Sequence, residues 1–207
     1  MKELDLLKKA WKKDTTSFEQ VSEGAIYNML QKKSSSIVKW ILIISIIEFI
    51  ILRGSDLLVL LDDKYKNELN IAHLYNFEVI ITAINFVVLT LFIYLFYKNF
   101  KTINTGSSVK KLMKDILNTR KIVKYYVWYN LLLVSISSAI GVCFEIKNNI
   151  KFHLLYEKHE GLFISVGLAI IALSILLFWL FYKLLYGILL NKLNNNYKEL
   201  LKIELEE

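Results

Sequence analysis

The sequence predicts an all-α, polytopic membrane protein: four transmembrane helices, cytoplasmic amphipathic helices and a tandem duplication of a helical hairpin. Three observations predict it. Of 207 residues, 55% are hydrophobic, which places the chain in the membrane class. Four apolar runs approach the roughly 20 residues that span a hydrocarbon core. The charged residues gather between those runs, as topology requires. The net charge of +7 is explained by that segregation, and no direct nucleic-acid partner is expected. Proline is absent, so the commonest device for breaking a spanning helix is missing and a transporter of broken helices is disfavoured.

Residues 1–36 are expected to be cytoplasmic amphipathic helices. Leu4, Leu7 and Trp11 share one helical face among Lys8, Lys9, Lys12 and Lys13. Thr16 with Glu19 suits a capping box for a second helix, which holds Ile26, Tyr27, Met29 and Leu30 and runs on toward the first crossing. This region is read either as a partner-binding module or as an anchor on the lipid surface. Residues 37–183 form the transmembrane domain, with crossings at about 37–53, 79–98, 125–144 and 162–182. The basic, serine-rich junction before Ile37 leads into the first, which is expected to direct insertion itself, since no cleavable signal peptide is evident. Residues 54–78 read as an outer loop with a helical edge. Residues 99–124 read as a cytoplasmic loop containing an amphipathic helix capped by Ser107, with Leu112, Met113, Ile116 and Leu117 as its stripe. Residues 184–207 continue the last helix into the cytoplasm, with Leu185, Leu189, Leu193, Tyr197 and Leu200 on one face.

Lysine and arginine number 8, 3, 8, 3 and 4 in the five successive flanks, 20 on one side and 6 on the other. The positive-inside rule therefore places both termini in the cytoplasm. Ile37-Val38-Lys39 recurs as Ile122-Val123-Lys124, and Leu95-Phe96-Tyr97-Lys98 as Leu180-Phe181-Tyr182-Lys183, at an offset of 85 residues that Ser22 and Ser107 share. A common register at both ends of a hairpin points to tandem parallel copies.

Glu48 is an intramembrane carboxylate, the default mark of a functional site. It is expected one to two turns from the outer end of its crossing, reaching the interface, pairing with Arg53, or accepting hydrogen bonds from Asn85 or Asn130. These roles are structural, and they are preferred to proton carriage. Ser135, Ala139 and Cys143 make a small-residue stripe on the third crossing, and Gly161, Ser165 and Ala169 another on the fourth, where such stripes let helices approach in lipid. Cys143 is the only cysteine, so a disulfide and a cysteine-zinc site are both excluded within the chain. His153 and Glu157 have the spacing of a helical metal pair but lack a third ligand, and His73 and His159 also fall in outer loops, so no metal is expected. With no phosphate loop, nucleophile elbow or HExxH present, the reading is non-enzymatic, without cofactor.

KKSSSIVKW and KKLMKDILNTRKIVKYYVWYN resemble a family of small four-helix membrane proteins of flavobacteria and their relatives, over the whole chain. Some members carry a carotene-oxygenase label. Soluble carotenoid oxygenases hold iron with four histidines, whereas this chain has three in total, none in its expected crossings, and the label is set aside. The layout of a short cytoplasmic helical segment before a crossing is also similar to that of membrane anti-sigma regulators. The expected function is a regulatory or scaffolding protein of the bacterial inner membrane that binds a cytoplasmic protein through its N-terminal helices. The alternative is a small oligomeric transporter, channel or membrane effector. Expected partners are membrane lipids, the cytoplasmic protein and, in the alternative, further copies of the chain.

Overall fold

The computed structural model describes residues 22–71, 75–105 and 108–206, and every element among them is helical. In chain order these are α1 (Glu23–Leu61), α2 (Asp63–Ile71), α3 (Tyr75–Asn104), α4 (Val109–Asn148), α5 (Ile150–Lys158), α6 (Glu160–Tyr182), a π segment (Lys183–Gly187) and α7 (Ile188–Glu206). The last three form one continuous rod. Four helical stretches are long and apolar enough to cross a membrane: Glu23–Leu61, Tyr75–Asn104, Val109–Lys147 and Glu160–Leu205.

Ser22 starts α1, its hydroxyl accepting the Ala25 N–H at 3.4 Å, and Glu23 adds a negative charge beside the helix N-terminus. The capping box at Thr16 and Glu19 lies outside the described residues. Contrary to the expected loop after Arg53, α1 continues to Leu61. Gly54 costs a helix only about 1 kcal/mol, and apolar runs on both sides of it outweigh that. Asp62 then ends α1 and opens α2, its carboxylate accepting the N–H groups of Lys64 at 2.9 Å and Tyr65 at 3.0 Å. Ser108, rather than Ser107, caps α4 by accepting the Lys111 N–H at 3.4 Å. Ser107 lies outside the described residues.

The long helices pack in sequence, α1 on α3, α3 on α4, and α4 on α6 and α7, while α7 closes the ring against α1. A closed bundle therefore forms at the end carrying the start of α1 and the end of α7, here the terminal end. At the opposite, hairpin end α6 rests on α4, and α1 and α6 diverge. The inward stripe of α1 is Leu30, Ser34, Val38, Ile41, Ser45 and Glu48, spaced by four and three residues as one helical face requires. At the terminal end it meets Ile103, Leu112, Ile116, Leu193 and Leu200, all fully buried. Three polar links set the register there: Asn196 Nδ2 donates to Ser34 Oγ at 3.0 Å, Gln31 Nε2 to the Ile103 carbonyl at 3.0 Å, and Asn118 Nδ2 to Asn99 Oδ1 at 3.1 Å.

The expected small-residue stripes are only partly used. Ser135 and Ala139 are half-buried, but Cys143, Gly161, Ser165 and Ala169 are exposed. The close approach of α6 to α4 occurs at Gly167, where an added Cβ would lie 3.1 Å from Val142 Cγ1. Gly167 shares a face with Phe163, Ile171 and Phe178, whereas Gly161, Ser165 and Ala169 occupy another.

Asp115 sits half-buried in the polar part of α4, with Oδ2 hydrogen-bonded to nothing. Burial pushes its carboxyl above the ordinary value, partly opposed by Lys111 and Lys114. A raised folded-state value means that the folded protein holds a proton the unfolded chain gives up, so stability falls as pH rises from about 4, the ordinary Asp value, through the raised one. Asp115→Asn should raise the melting temperature at neutral pH and lose that advantage near pH 4. A constant difference between parent and variant across this range would refute the assignment. In the same assay Leu193→Ala should cost about 2–5 kcal/mol, whereas Leu205→Ala, at a site 78% exposed, should stay within about 0.5 kcal/mol.

Candidate functional site

A cluster of buried polar groups surrounds Glu48, 7% exposed on the inward face of α1. Its carboxylate joins α1 to the rod of α6 and α7. Tyr182 donates to Oε1 in a short hydrogen bond, and Tyr186 donates to Oε2 at 2.9 Å. Neither tyrosine is singled out as a site residue in the sequence, where Tyr182 ends the fourth expected crossing. Their four-residue spacing places both on one helix face, and the π segment beginning at Lys183 holds them there, rings stacked 6.1 Å apart. Tyr126 of α4 closes the cluster edge-on, 6.4 Å from the Tyr182 ring and 5.7 Å from that of Tyr186, and is backed by Phe92 and Phe96 of α3 at 5.5 and 5.6 Å.

The expected partners of Glu48 are elsewhere. Arg53 pairs with Asp56 through Nη1 at 2.6 Å, because three residues along a helix bring side chains together and the five separating Glu48 from Arg53 turn them apart. Asn85 accepts from the Tyr129 hydroxyl at 2.6 Å. Asn130 donates back to the Tyr126 carbonyl of its own helix at 2.9 Å. Glu48 is also further from the hairpin end of its helix than expected. It stands level with Tyr182, and α1 continues thirteen residues past it, about 20 Å at the helical rise.

Two cavities flank the cluster. A groove of about 610 Å³ separates α1 from α6, lined by apolar side chains and Glu48. A chamber of about 190 Å³ lies among α1, α3, α4 and α6, with Arg53, Asp56, Asn85, Asn130, Ser137 and Tyr182 in its wall. Leu52 and Phe178 line both. The Arg53 Nε is buried without a hydrogen-bond partner. Among the described residues no three His, Cys, Asp or Glu side chains converge on a metal position. His153 Nε2 lies 3.6 Å from Glu157 on an exposed turn, and His73 lies outside the described residues, as do Leu4, Leu7 and Trp11.

A family model described as a domain of unknown function, DUF8845, matches residues 24–205, so the chain belongs to that family. Comparison with curated proteins and with solved structures gave no match.

Glu48 fixes helix positions through two donors, so Glu48→Leu should destabilise the purified protein by about 1–3 kcal/mol for each tyrosine hydroxyl left without an acceptor. Glu48→Gln should cost less, since its carbonyl still accepts from one tyrosine and its amide can donate to the other. Thermal unfolding in detergent reads both, and a Glu48→Leu protein as stable as the parent would show that the cluster is not a structural tie.

Proposed function

We propose that the chain is a regulatory or scaffolding protein of the bacterial inner membrane, with both termini in the cytoplasm, that binds a cytoplasmic protein partner. The observation carrying this reading is the continuity of α1 and of the α6–α7 rod from the Glu48 cluster to the terminal end. Glu48 with Tyr182 and Tyr186 at one level, and Ser34 with Asn196 at another, tie these rods together. A change at the apolar level is thereby passed to a packed polar-end bundle, the arrangement a membrane regulator needs.

The lysine and arginine distribution supports the orientation. Trp40, Tyr94 and Tyr97 are all more than half exposed and stand beside Lys39 and Lys98, as an interfacial belt does. Exposed isoleucines and leucines such as Ile50, Leu58, Ile80 and Leu168 cover the segment beyond that belt, a surface suited to lipid. The duplication is part of this proposal. Ser34, Val38, Ile41 and Ser45 are buried in α1, and Thr119, Val123, Tyr126 and Asn130, 85 residues later, are buried in α4. Each long helix is followed by one of nine residues, α2 or α5, before the chain returns. The second hairpin has diverged at its end, where Phe96 is buried and Tyr97 exposed but Phe181 is exposed and Tyr182 buried.

The alternative, a small transporter, channel or membrane effector, draws support from the polar chamber among the four long helices. Two measurements separate these readings. Reporter domains fused after Leu69 and Ile150 should register outside and those after Thr105 and Glu207 inside, and an inside signal at Leu69 would sink the four-crossing arrangement. Crosslinking of the full chain in native membranes should capture a heterologous protein, and removal of residues 1–21, or Leu7→Ala with Trp11→Ala, should weaken capture by a few kcal/mol. Unchanged capture by these variants would move the partner surface away from the N-terminal segment.

A further inference from the structure

We infer that the groove and the chamber together bind one single-chain neutral amphiphile, with the acyl chain between α1 and α6 and a glycerol-type head among the chamber's carboxamides and hydroxyls. This rests on the membrane reading above and is independent of the cytoplasmic partner. The groove is open, has a volume in the range of small-molecule sites, and presents Ile44, Ile47 and Ile51 on one wall and Leu177, Phe181 and Leu185 on the other. Nothing there but Glu48 is polar, and both oxygens of Glu48 already accept from tyrosines. The groove therefore recognises hydrocarbon and little else.

The chamber beside it supplies what the groove lacks. The partition is Leu52 and Phe178 with the Glu48–Tyr182 pair beside them, so two apolar side chains separate a hydrocarbon-lined space from a polar one. Rotation of those side chains joins the spaces into a site with an apolar tail compartment and a polar head compartment. The head compartment is electrically balanced, because its one cation, Arg53, is paired with Asp56 at 2.6 Å. What is left is the Asn85 amide N–H and the Ser137 hydroxyl as donors and the oxygens of Asn130, Ser55 and Tyr182 as acceptors, since Ser55 donates to the Leu52 carbonyl at 2.8 Å, Asn130 to that of Tyr126 and Tyr182 to Glu48. Vicinal hydroxyls match such a set, since each both donates and accepts. An anionic head would meet the Asp56 carboxylate with the Arg53 charge already paired, whereas a hydroxyl can accept from the Arg53 Nε–H, which is buried without a partner. The chamber, about 190 Å³, has room for several waters and so for a glycerol head.

The test uses the full-length protein in phospholipid nanodiscs with radiolabelled 1-monooleoylglycerol as probe, and oleate and octadecene as comparisons. Expected is saturable binding at one probe per chain, about tenfold or more tighter than either comparison, since the glycerol head makes hydrogen bonds that they lack. Ile47→Trp, which fills the groove, should weaken all three probes. Ser137→Leu and Ser55→Leu, both at exposed positions lining the chamber, should bring monooleoylglycerol down to the octadecene level and leave octadecene unchanged. Two such variants guard against a failure of one to fold, checked by an unaltered melting temperature. Equal binding of oleate and monooleoylglycerol, equal binding of octadecene, absence of saturable binding, or indifference to both serine variants would each overturn the inference. Absence of saturable binding with the Leu69 reporter outside removes this site alone, whereas an inside reporter at Leu69 removes the membrane reading beneath it.

Discussion

One carboxylate holds the two halves of this fold in register. Burying a charged or hydrogen-bonding group away from water is costly unless its partners are supplied, and Glu48 has a tyrosine hydroxyl for each of its oxygens. Those tyrosines come from the end of α6 and the π segment after it, so the same contact that satisfies the carboxylate fixes where the last rod lies against the first. The small side chains at Ser34 and Ser45, both on the terminal-end side of Glu48 on the same stripe, leave room for neighbouring helices beside the α1 backbone. The position of α7, and with it the packing of Leu193 and Leu200 at the terminal end, follows from that register.

The interior of this chain mixes an apolar core with many polar side chains, and its surface is rich in large aliphatic ones. Serines, asparagines, a threonine pair and a glutamate occupy the interior, and many of the largest aliphatic side chains face outward. In water such an arrangement would leave an extended apolar surface uncovered. In an apolar surrounding the aliphatic faces need no cover, and helix association is driven instead by close packing and interhelical hydrogen bonds. The links found between helices, Tyr129 to Asn85 and Asn196 to Ser34 among them, are of that kind. Side-chain hydroxyls that bond back to their own helix, such as Ser45 to the Leu42 carbonyl at 2.8 Å and Ser135 to that of Leu131 at 2.8 Å, keep donors satisfied without a second helix.

Helix content and the four long apolar segments were legible in the sequence because they depend on run length and on charge placement, which one chain displays directly. Glu48 stood out for the same reason, as a lone carboxylate in an apolar run. Its partners did not. A tyrosine near the end of a span is as consistent with an interface as with a buried donor, and only the pairing of α1 with the rod of α6 and α7 decides between them. The nearer-looking partners, Arg53, Asn85 and Asn130, each satisfied themselves locally or with another residue. The small-residue stripes failed on phase: the sequence holds several sets spaced by four, and nothing local shows that Gly167, rather than Gly161, faces α4. The extent of α1 was misjudged because an arginine and a glycine together imitate a helix end, while the aspartate that supplies the true end lies nine residues beyond Arg53.

The π segment at Lys183–Gly187 gives this fold an uneven tolerance to changes in chain length. A residue gained or lost in the turns around α2 or α5 alters only a connection. One removed from the π segment would restore plain α-helical winding and leave Leu193, Asn196 and Leu200 facing the bundle, because five residues of π winding turn about as far as four of α winding. One removed from α7 itself would instead rotate everything after it by about 100°. Descendants of this sequence can therefore drift freely in the composition of α7's outer face and in the span of the hairpin turns. The residue count from Ile188 to Leu193 is a quantity that lineages are expected to keep fixed, or to alter only alongside a compensating change on α1.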